Sequence, residues 1–323
     1  MQPIWGSQYT SAKGQTYTGR NDLQTLKDMG VSLIRLYDWE PRNNHQPFLD
    51  ACKLFGISVL APVSNYFLKD GYGNRLQLIP ALIKSYSNAQ QTDYHEAICG
   101  IIIGNEPEIN QFSVDQCIQF TIDWVNIEQG SFSPYRRLPI GHPVDFGTYG
   151  GQYPCWGFCD PLLAQLNPVG SLGQRLILAP QTYNLAEYLF QNAGSGQSYV
   201  DLTWNRYQKP LLFTEIGMDR TKPNHVSVVQ GQLQGCLDYG NQHPDRLIGS
   251  CFFQFADKVW MQGTSEGSFG AYTHSGRNLA TIEYSAGDFT HWDVPEPSPD
   301  QMTVDYLTAS DLQPVVVSAY KGS

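Results

Sequence analysis

Residues 30–67 read GVSLIRLYDWEPRNNHQPFLDACKLFGISVLAPVSNYF, a strand, a helix and a second strand in succession. Ser32–Tyr37 is a short apolar run of strand-forming residues. Pro47–Phe55 reads as a helix closed by Gly56, a residue free to take the left-handed backbone that ends helices. Ile57–Val63 is apolar again. Two apolar strands joined through a helix form the unit from which parallel sheets are built.

The same alternation extends in both directions. Upstream, Ile4–Tyr9 reads as a first strand, and Asn21 caps a helix through Met29 that Gly30 ends. Downstream, strands are expected at Ile98–Ile103, Leu138–His142, Leu176–Ala179, Leu211–Thr214 and Leu247–Phe253. Helices are expected at Leu76–Tyr86, from the Ser113 cap toward Glu128, and at Val226–Tyr239. Several strands are apolar on both faces, as they must be when helices cover the outside and side chains fill the inside. This predicts an α/β fold, a single (β/α)8 TIM barrel spanning residues 1–293. The rival is a doubly wound open sheet. That fold prefers a glycine-rich phosphate loop after its first strand, and TSAKGQTYTGR (10–20) contains no G-x-G-x-x-G. From Val294 the sequence turns to PEPSPDQ, so residues 294–323 are expected to be a short C-terminal extension packed on the barrel.

The chain of 323 residues carries a formal charge of −10, with 15% charged and 13% aromatic residues. Such a balance repels a phosphate backbone, which argues against nucleic acid. It suits neutral sugars, whose C–H faces lie on aromatic rings. No apolar run approaches the roughly 18 residues of a membrane span. No Asn-x-Ser/Thr sequon and no leader are visible, leaving a cytoplasmic protein or a mature secreted one; the leaning is to secretion, and to a monomer. Five cysteines, Cys52, Cys99, Cys117, Cys236 and Cys251, fall in apolar elements and read as small core residues. Cys155 and Cys159 lie in PCWGFCD, read as a loop where they stand close enough in sequence for a short disulfide. No second Cys/His pair stands at zinc-ligand spacing, so no metal or cofactor is expected.

In a parallel barrel the chemistry gathers where the strands end. Reading on from each apolar run gives Arg35, Tyr37, Asp38 and Trp39, then Ser64, Asn65 and Tyr66, then Gly104, Asn105 and Glu106. Gln181 and Tyr183 follow the sixth strand, Glu215 the seventh, and Gln254, Asp257 and Trp260 the eighth. Two glutamates facing each other across a barrel mouth match retaining glycoside hydrolysis. One must be protonated to protect the leaving oxygen from charge, the other ionised to attack the anomeric carbon. Glu108, two residues past Glu106, is expected to face solvent or a helix start. Trp39, Tyr66, Tyr72 and Trp156 are candidates for outer sugar subsites.

The segment IIIGNEPEI (101–109) resembles the acid/base motif of clan A glycoside hydrolases, and LLFTEIGMD (211–219) is similar to that clan's nucleophile segment. The resemblance implies Glu106 as general acid/base, Glu215 as nucleophile, and Asn105 as the residue that bonds the sugar 2-hydroxyl. Within the clan, residues 30–67 resemble glycoside hydrolase families 17 and 72, the β-1,3-glucanases and β-1,3-glucanosyltransferases. That implies β-glucan as substrate, no cofactor, Tyr37 lining the glycone subsite and Arg35 supporting the nucleophile. It further implies Tyr183 bonding the nucleophile. Asn65, at the end of the third strand, is expected among the substrate-binding residues. FFQFADKVWMQGTSEGSFGAY (252–272) looks like the last strand end of family-17-like proteins, which places Asp257, Trp260 and Glu266 with the substrate. Lys258-Val259 stands where that pattern has an acidic residue and proline, and no serine precedes Glu215.

Overall fold

The computed structural model describes residues 8–10, 16–18, 21–69, 75–132, 136–146, 156–194, 196–258, 261, 263–274 and 307–322. It opens with an antiparallel hairpin, β1 (Gln8–Thr10) against β2 (Thr16–Thr18), with Tyr9 opposite Tyr17. This corrects the first predicted strand in part. Residues 4–7 lie outside the described residues, and Gln8 and Tyr9 pair within the hairpin instead of joining the main sheet. Threonine and tyrosine suit a two-stranded ribbon, whereas a barrel strand is buried on both faces.

The main sheet consists of β3 (Leu33–Arg35), β4 (Ser58–Val63), β5 (Ile98–Ile103), β6 (Ile140–Asp145), β7 (Leu176–Thr182), β8 (Leu211–Ile216) and β9 (Leu247–Phe252). These seven strands are parallel and bonded in chain order, and β3 comes alongside β9, so the sheet curls into a nearly closed barrel. The sequence called each of these strands to within a few residues.

Helices α1 (Asp22–Asp28), α2 (Gln46–Phe55), α3 (Arg75–Ser85), α4 (Val114–Ser131), α5 (Trp156–Leu166), α6 (Ala186–Phe190), α7 (Tyr199–Tyr207) and α8 (His225–Gln242) lie between or after the strands. Their ends follow local chemistry. The Asn21 side chain accepts from the Gln24 amide. Ser113 and Gln116 form a reciprocal capping box at the start of α4. Gly56, at φ +70°, returns its amide to α2.

Two apolar layers hold the barrel. Leu60, Ile102, Ile177, Leu212 and Cys251 form a separate cluster contributed by five different barrel strands. A larger cluster fills the space between strands and helices, and every residue of β7 and β8 is buried. Burying each such aliphatic side chain contributes about 1.5–3 kcal/mol, which fixes the strand ends that carry the polar groups. Burial pushes the thiols of Cys52, Cys117, Cys236 and Cys251 up to about 12, in keeping with core roles.

Beyond β9, β10 (Tyr272–His274) pairs with β11 (Leu307–Ala309), and α9 (Gln313–Lys321) packs on α8. The Phe252 amide donates to the Tyr320 hydroxyl at 3.1 Å, tying α9 to the end of β9. The predicted boundary near residue 293 lies outside the described residues. Cys159 is buried within α5, not in a loop, while Cys155 lies outside the described residues. Among the described residues no helix is long and apolar enough to cross a membrane.

Candidate active site

The strand order brings Arg35 and Tyr37, Asn105 and Glu106, Gln181 and Tyr183, and Glu215 to one mouth of the barrel. Glu215 is the penultimate residue of β8 and is 4% exposed. Arg35 Nη1 donates to its Oε1 at 2.9 Å, and the Tyr37 hydroxyl donates to the same oxygen at 2.7 Å. The Tyr183 hydroxyl donates to Oε2 at 2.6 Å. Three donors converge on this carboxylate, an arrangement suited to its ionised, acceptor-only form.

Arg35 serves more than one partner. Its Nη1 also reaches the Thr214 carbonyl at 3.3 Å, and its Nη2 donates to Asn105 Oδ1 at 2.6 Å. The guanidinium lies 4.5 Å from the Tyr37 ring centre. Tyr37 is nonetheless 37% exposed, so its hydroxyl is engaged while part of its ring stays open to the cleft.

Asn105 is oriented by its neighbours. Its Oδ1 accepts from Arg35 and also from Gln181 Nε2 at 2.7 Å. With the carbonyl end taken by two donors, the amide NH2 is the end left to address a ligand. Asn65 engages the Asn105 backbone from both ends of its own amide, accepting from the Asn105 N–H at 2.7 Å and donating to the carbonyl at 2.8 Å. Asn65 therefore braces Asn105. Glycine at 104 permits this: its φ is +77°, and a Cβ there would stand 3.2 Å from Asn65 Oδ1 and 3.0 Å from Leu68 Cδ1.

Glu106 follows in a left-handed conformation, φ +44°, with its amide donating to the Pro143 carbonyl at 2.8 Å. Burial raises its carboxyl to about 7, aided by the negative charges of Glu215, Asp145 and Glu266 and opposed by Arg35. Burial and like charge both disfavour its ionised form. One glutamate is thus built to hold a proton near neutrality, and the other faces three donors.

The remaining expectations fare unevenly. Asp257 pairs with Arg220 and accepts the Gly270 amide at 2.8 Å, so it shapes the turn after β9. Glu266 pairs with Lys258 at 3.2 Å and remains 47% exposed, close enough to the mouth to act on Glu106. Trp260 and Tyr72 lie outside the described residues. Trp39 is not an outer subsite: it is 4% exposed, bonds Ser85 Oγ at 2.8 Å and stacks on His45. Glu108 does not face solvent. Its carboxyl is largely buried and accepts the Asp145 amide. Burial drew it inward because the chain turns back after Glu106, a tertiary effect with no local signal.

Two further residues were not singled out. Gln181 fixes Asn105 from β7, and Phe253, 4% exposed, sets its ring edge-on to both Tyr37 and Tyr183 at 6.2 and 6.4 Å. Gln181 did stand among the strand-end residues. Its bond to a residue 76 positions away has no sequence signature.

No protein-family model matches the chain. A 1,3-β-glucanosyltransferase of Candida albicans is 24% identical over 271 residues, which covers 78% of this chain and 38% of that protein. Gas2p of Saccharomyces cerevisiae, solved in complex with laminaritetraose and laminaripentaose, matches in fold with a TM-score of 0.57 at 15% identity, covering 93% of this chain and 57% of that one. An endo-β-1,4-glucanase of Xanthomonas axonopodis pv. citri matches at a TM-score of 0.54 and 13% identity, covering 98% and 94%. The chain therefore spans well under two thirds of the Candida relative and of Gas2p. The chain shares the barrel fold of these solved structures, and in sequence it is similar to the Candida 1,3-β-glucanosyltransferase.

Proposed function

We propose that the chain is a retaining β-glycosidase of β-glucan, acting on β-1,3-linked glucose polymers by double displacement. Glu106 gives its proton to the glycosidic oxygen as the bond from that oxygen to the anomeric carbon breaks. Glu215 attacks the same carbon from the opposite face, forming a glucosyl ester. Glu106, now ionised, takes the proton of an incoming hydroxyl, whose oxygen displaces Glu215 and restores both carboxyls. No cofactor enters either step. Asn105 presents its amide NH2 to the sugar, and the open part of Tyr37 borders the glycone.

The observation that carries this reading is the division of labour between the two glutamates. Glu215 accepts from Arg35, Tyr37 and Tyr183, while burial and neighbouring charge raise Glu106 to about 7. Two carboxyls in contrasting surroundings are what an acid and a nucleophile require.

The acceptor decides the outcome: water gives hydrolysis, and a second glucan gives transglycosylation. The Candida relative's activity favours the second as an alternative. Product analysis on reduced and unreduced laminari-oligosaccharides separates them. Products longer than the substrate establish transfer, and only shorter ones establish hydrolysis. Binding of laminari-oligosaccharides without turnover of any β-glucan would overturn the enzyme reading in favour of a sugar-binding barrel.

A further inference from the structure

The turn that carries Glu106 is held in an unfavourable shape. A non-glycine residue at φ +44° is uncommon and persists only where its surroundings over-determine it. Three sets of contacts do so here. The Glu106 amide donates to Pro143 O at 2.8 Å, at the end of β6. Asn110 Nδ2 bridges the carbonyls of Asn105 and Glu106, each at 3.0 Å, while its own amide donates to Glu106 O at 2.9 Å. The Glu108 carboxyl then reaches across and accepts the Asp145 amide, the last residue of β6. Its other oxygen, Oε2, is buried with no hydrogen-bond partner among the described residues.

Burying a carboxyl to hold the backbone N–H groups of Asp145 and of its own residue is a costly way to secure a turn. We propose that Glu108 is a positioning residue for the acid/base, stapling the Glu106 turn to β6 through the Asp145 amide, with Asn110 bracing the same turn from within. The inference rests on Glu106 being the acid/base. The staple also fixes the backbone of Asp145, whose charge acts on Glu106. Burial raises the Glu108 carboxyl itself to about 8, so near neutrality it is mostly uncharged. A glutamine at 108 would copy the shape and neutrality of that group and keep an oxygen for the Asp145 amide.

The test compares Glu108→Ala, Glu108→Gln and Asn110→Ala with Glu106→Ala. Each is assayed on a laminari-oligosaccharide and on an aryl β-glucoside with an activated leaving group. Misplacing the acid by an ångström costs on the order of 10²-fold. Glu108→Ala and Asn110→Ala should therefore lower kcat on the oligosaccharide by roughly ten- to a hundredfold, with KM little changed. They should lower kcat/KM on the activated glycoside far less, because that leaving group needs little proton. Their alkaline pH limb should move, and Glu108→Gln should recover most of the activity. Asn110 is exposed, so its variant tests the idea even if Glu108→Ala folds poorly. Equal losses on both substrates, an unmoved pH limb, or a Glu108→Gln as poor as Glu108→Ala would overturn the proposal. If Glu106→Ala discriminates between the substrates and these variants do not, only the positioning role fails. If Glu106→Ala does not discriminate either, the acid/base assignment has failed and takes this role with it.

Discussion

Two buried arginine–glutamate pairs sit at opposite ends of the barrel, and they are built differently. Arg175, just before β7, donates from Nη1 and Nη2 to the two oxygens of Glu128 on α4, at 2.6 and 2.9 Å, and from Nε to the Leu138 carbonyl at 2.8 Å. The Tyr94 hydroxyl completes that carboxylate. Both side chains are at most 4% exposed. Arg35, at the end of β3, divides its contacts among Thr214 O, Glu215 and Asn105, and gives Glu215 only one nitrogen. Both pairs exclude water, with Arg35 at 2% and Glu215 at 6% side-chain exposure. The first pair is a closed fork that joins α4 to the loops before β6 and β7. The second is an open arrangement in which one cation organises the proposed nucleophile Glu215 and the Asn105 amide together. Burial alone does not separate structural from functional ion pairs; the distribution of the donors does.

The largest effect expected from breaking this contrast is at the open pair. Glu215→Gln keeps the shape and removes the nucleophile, so kcat should fall by on the order of 10⁴-fold or more. The melting temperature should move less than in a truncation, because the glutamine oxygen can still accept from Arg35 and the tyrosines. Steady-state kinetics beside a thermal melt checks both halves, and substantial activity in this variant would remove Glu215 from the mechanism. At the closed pair the outcome reverses. Glu128→Ala leaves a buried guanidinium unpaired, a loss of about 3–5 kcal/mol, while kcat/KM of the protein that stays folded should be unchanged. Denaturant titration measures the first, and a fall in kcat/KM would make the two pairs alike after all.

The proton on Glu106 gives the next effect. Its folded value of about 7 lies above the ordinary 4.5, so activity that requires the protonated form should fall as pH rises through about 7. The same shift means the folded protein binds this proton more tightly than the unfolded chain between those values. Its stabilising contribution is full below pH 4.5 and is lost as pH rises toward 7. Glu106→Gln should flatten that part of the stability profile, and a pH series of melts would show it. An unchanged slope would place the proton elsewhere. The smallest effect concerns Gln181→Met, which removes one of the two donors on Asn105 Oδ1. A loss near tenfold in kcat/KM, about 1.4 kcal/mol, is expected on aryl glucosides. It should shrink on their 2-deoxy analogues, which lack the hydroxyl that Asn105 is proposed to meet.

The same contrast explains what the sequence disclosed. Strands β3 to β9 were legible from apolar stretches such as ICGIII and the LLF that opens β8, which must be buried on both faces. The places of Glu106 and Glu215 at the barrel mouth were legible because a strand end is a position one can count to. Helix α5 was missed because PCWGFCD, with glycine, proline and aromatics, reads as a loop, yet Phe158, Cys159, Leu162 and Leu163 are buried. Helix α9 carries ordinary signals, Pro314 in its first turn and Gly322 at its end, but they follow the proline-rich PEPSPDQ. The bracing of Asn105 by Asn65 and Gln181, and of Glu106 by Glu108, was not legible. Those bonds join strand ends that only closure of the sheet brings together.

The central claim is that Glu215 becomes covalently attached to the sugar. The most direct measurement uses a 2-deoxy-2-fluoro β-laminaribioside carrying a strongly activated leaving group. The fluorine slows both displacements by destabilising their oxocarbenium-like transition states, and the leaving group restores only the first. The glycosyl-enzyme then accumulates and can be weighed intact and mapped by peptide mass spectrometry. Time-dependent inactivation with one fluoroglycosyl group on Glu215 is the expected result. Labelling of Glu106 or Glu108 instead, or turnover of the natural substrate with no labelling at Glu215, would contradict it.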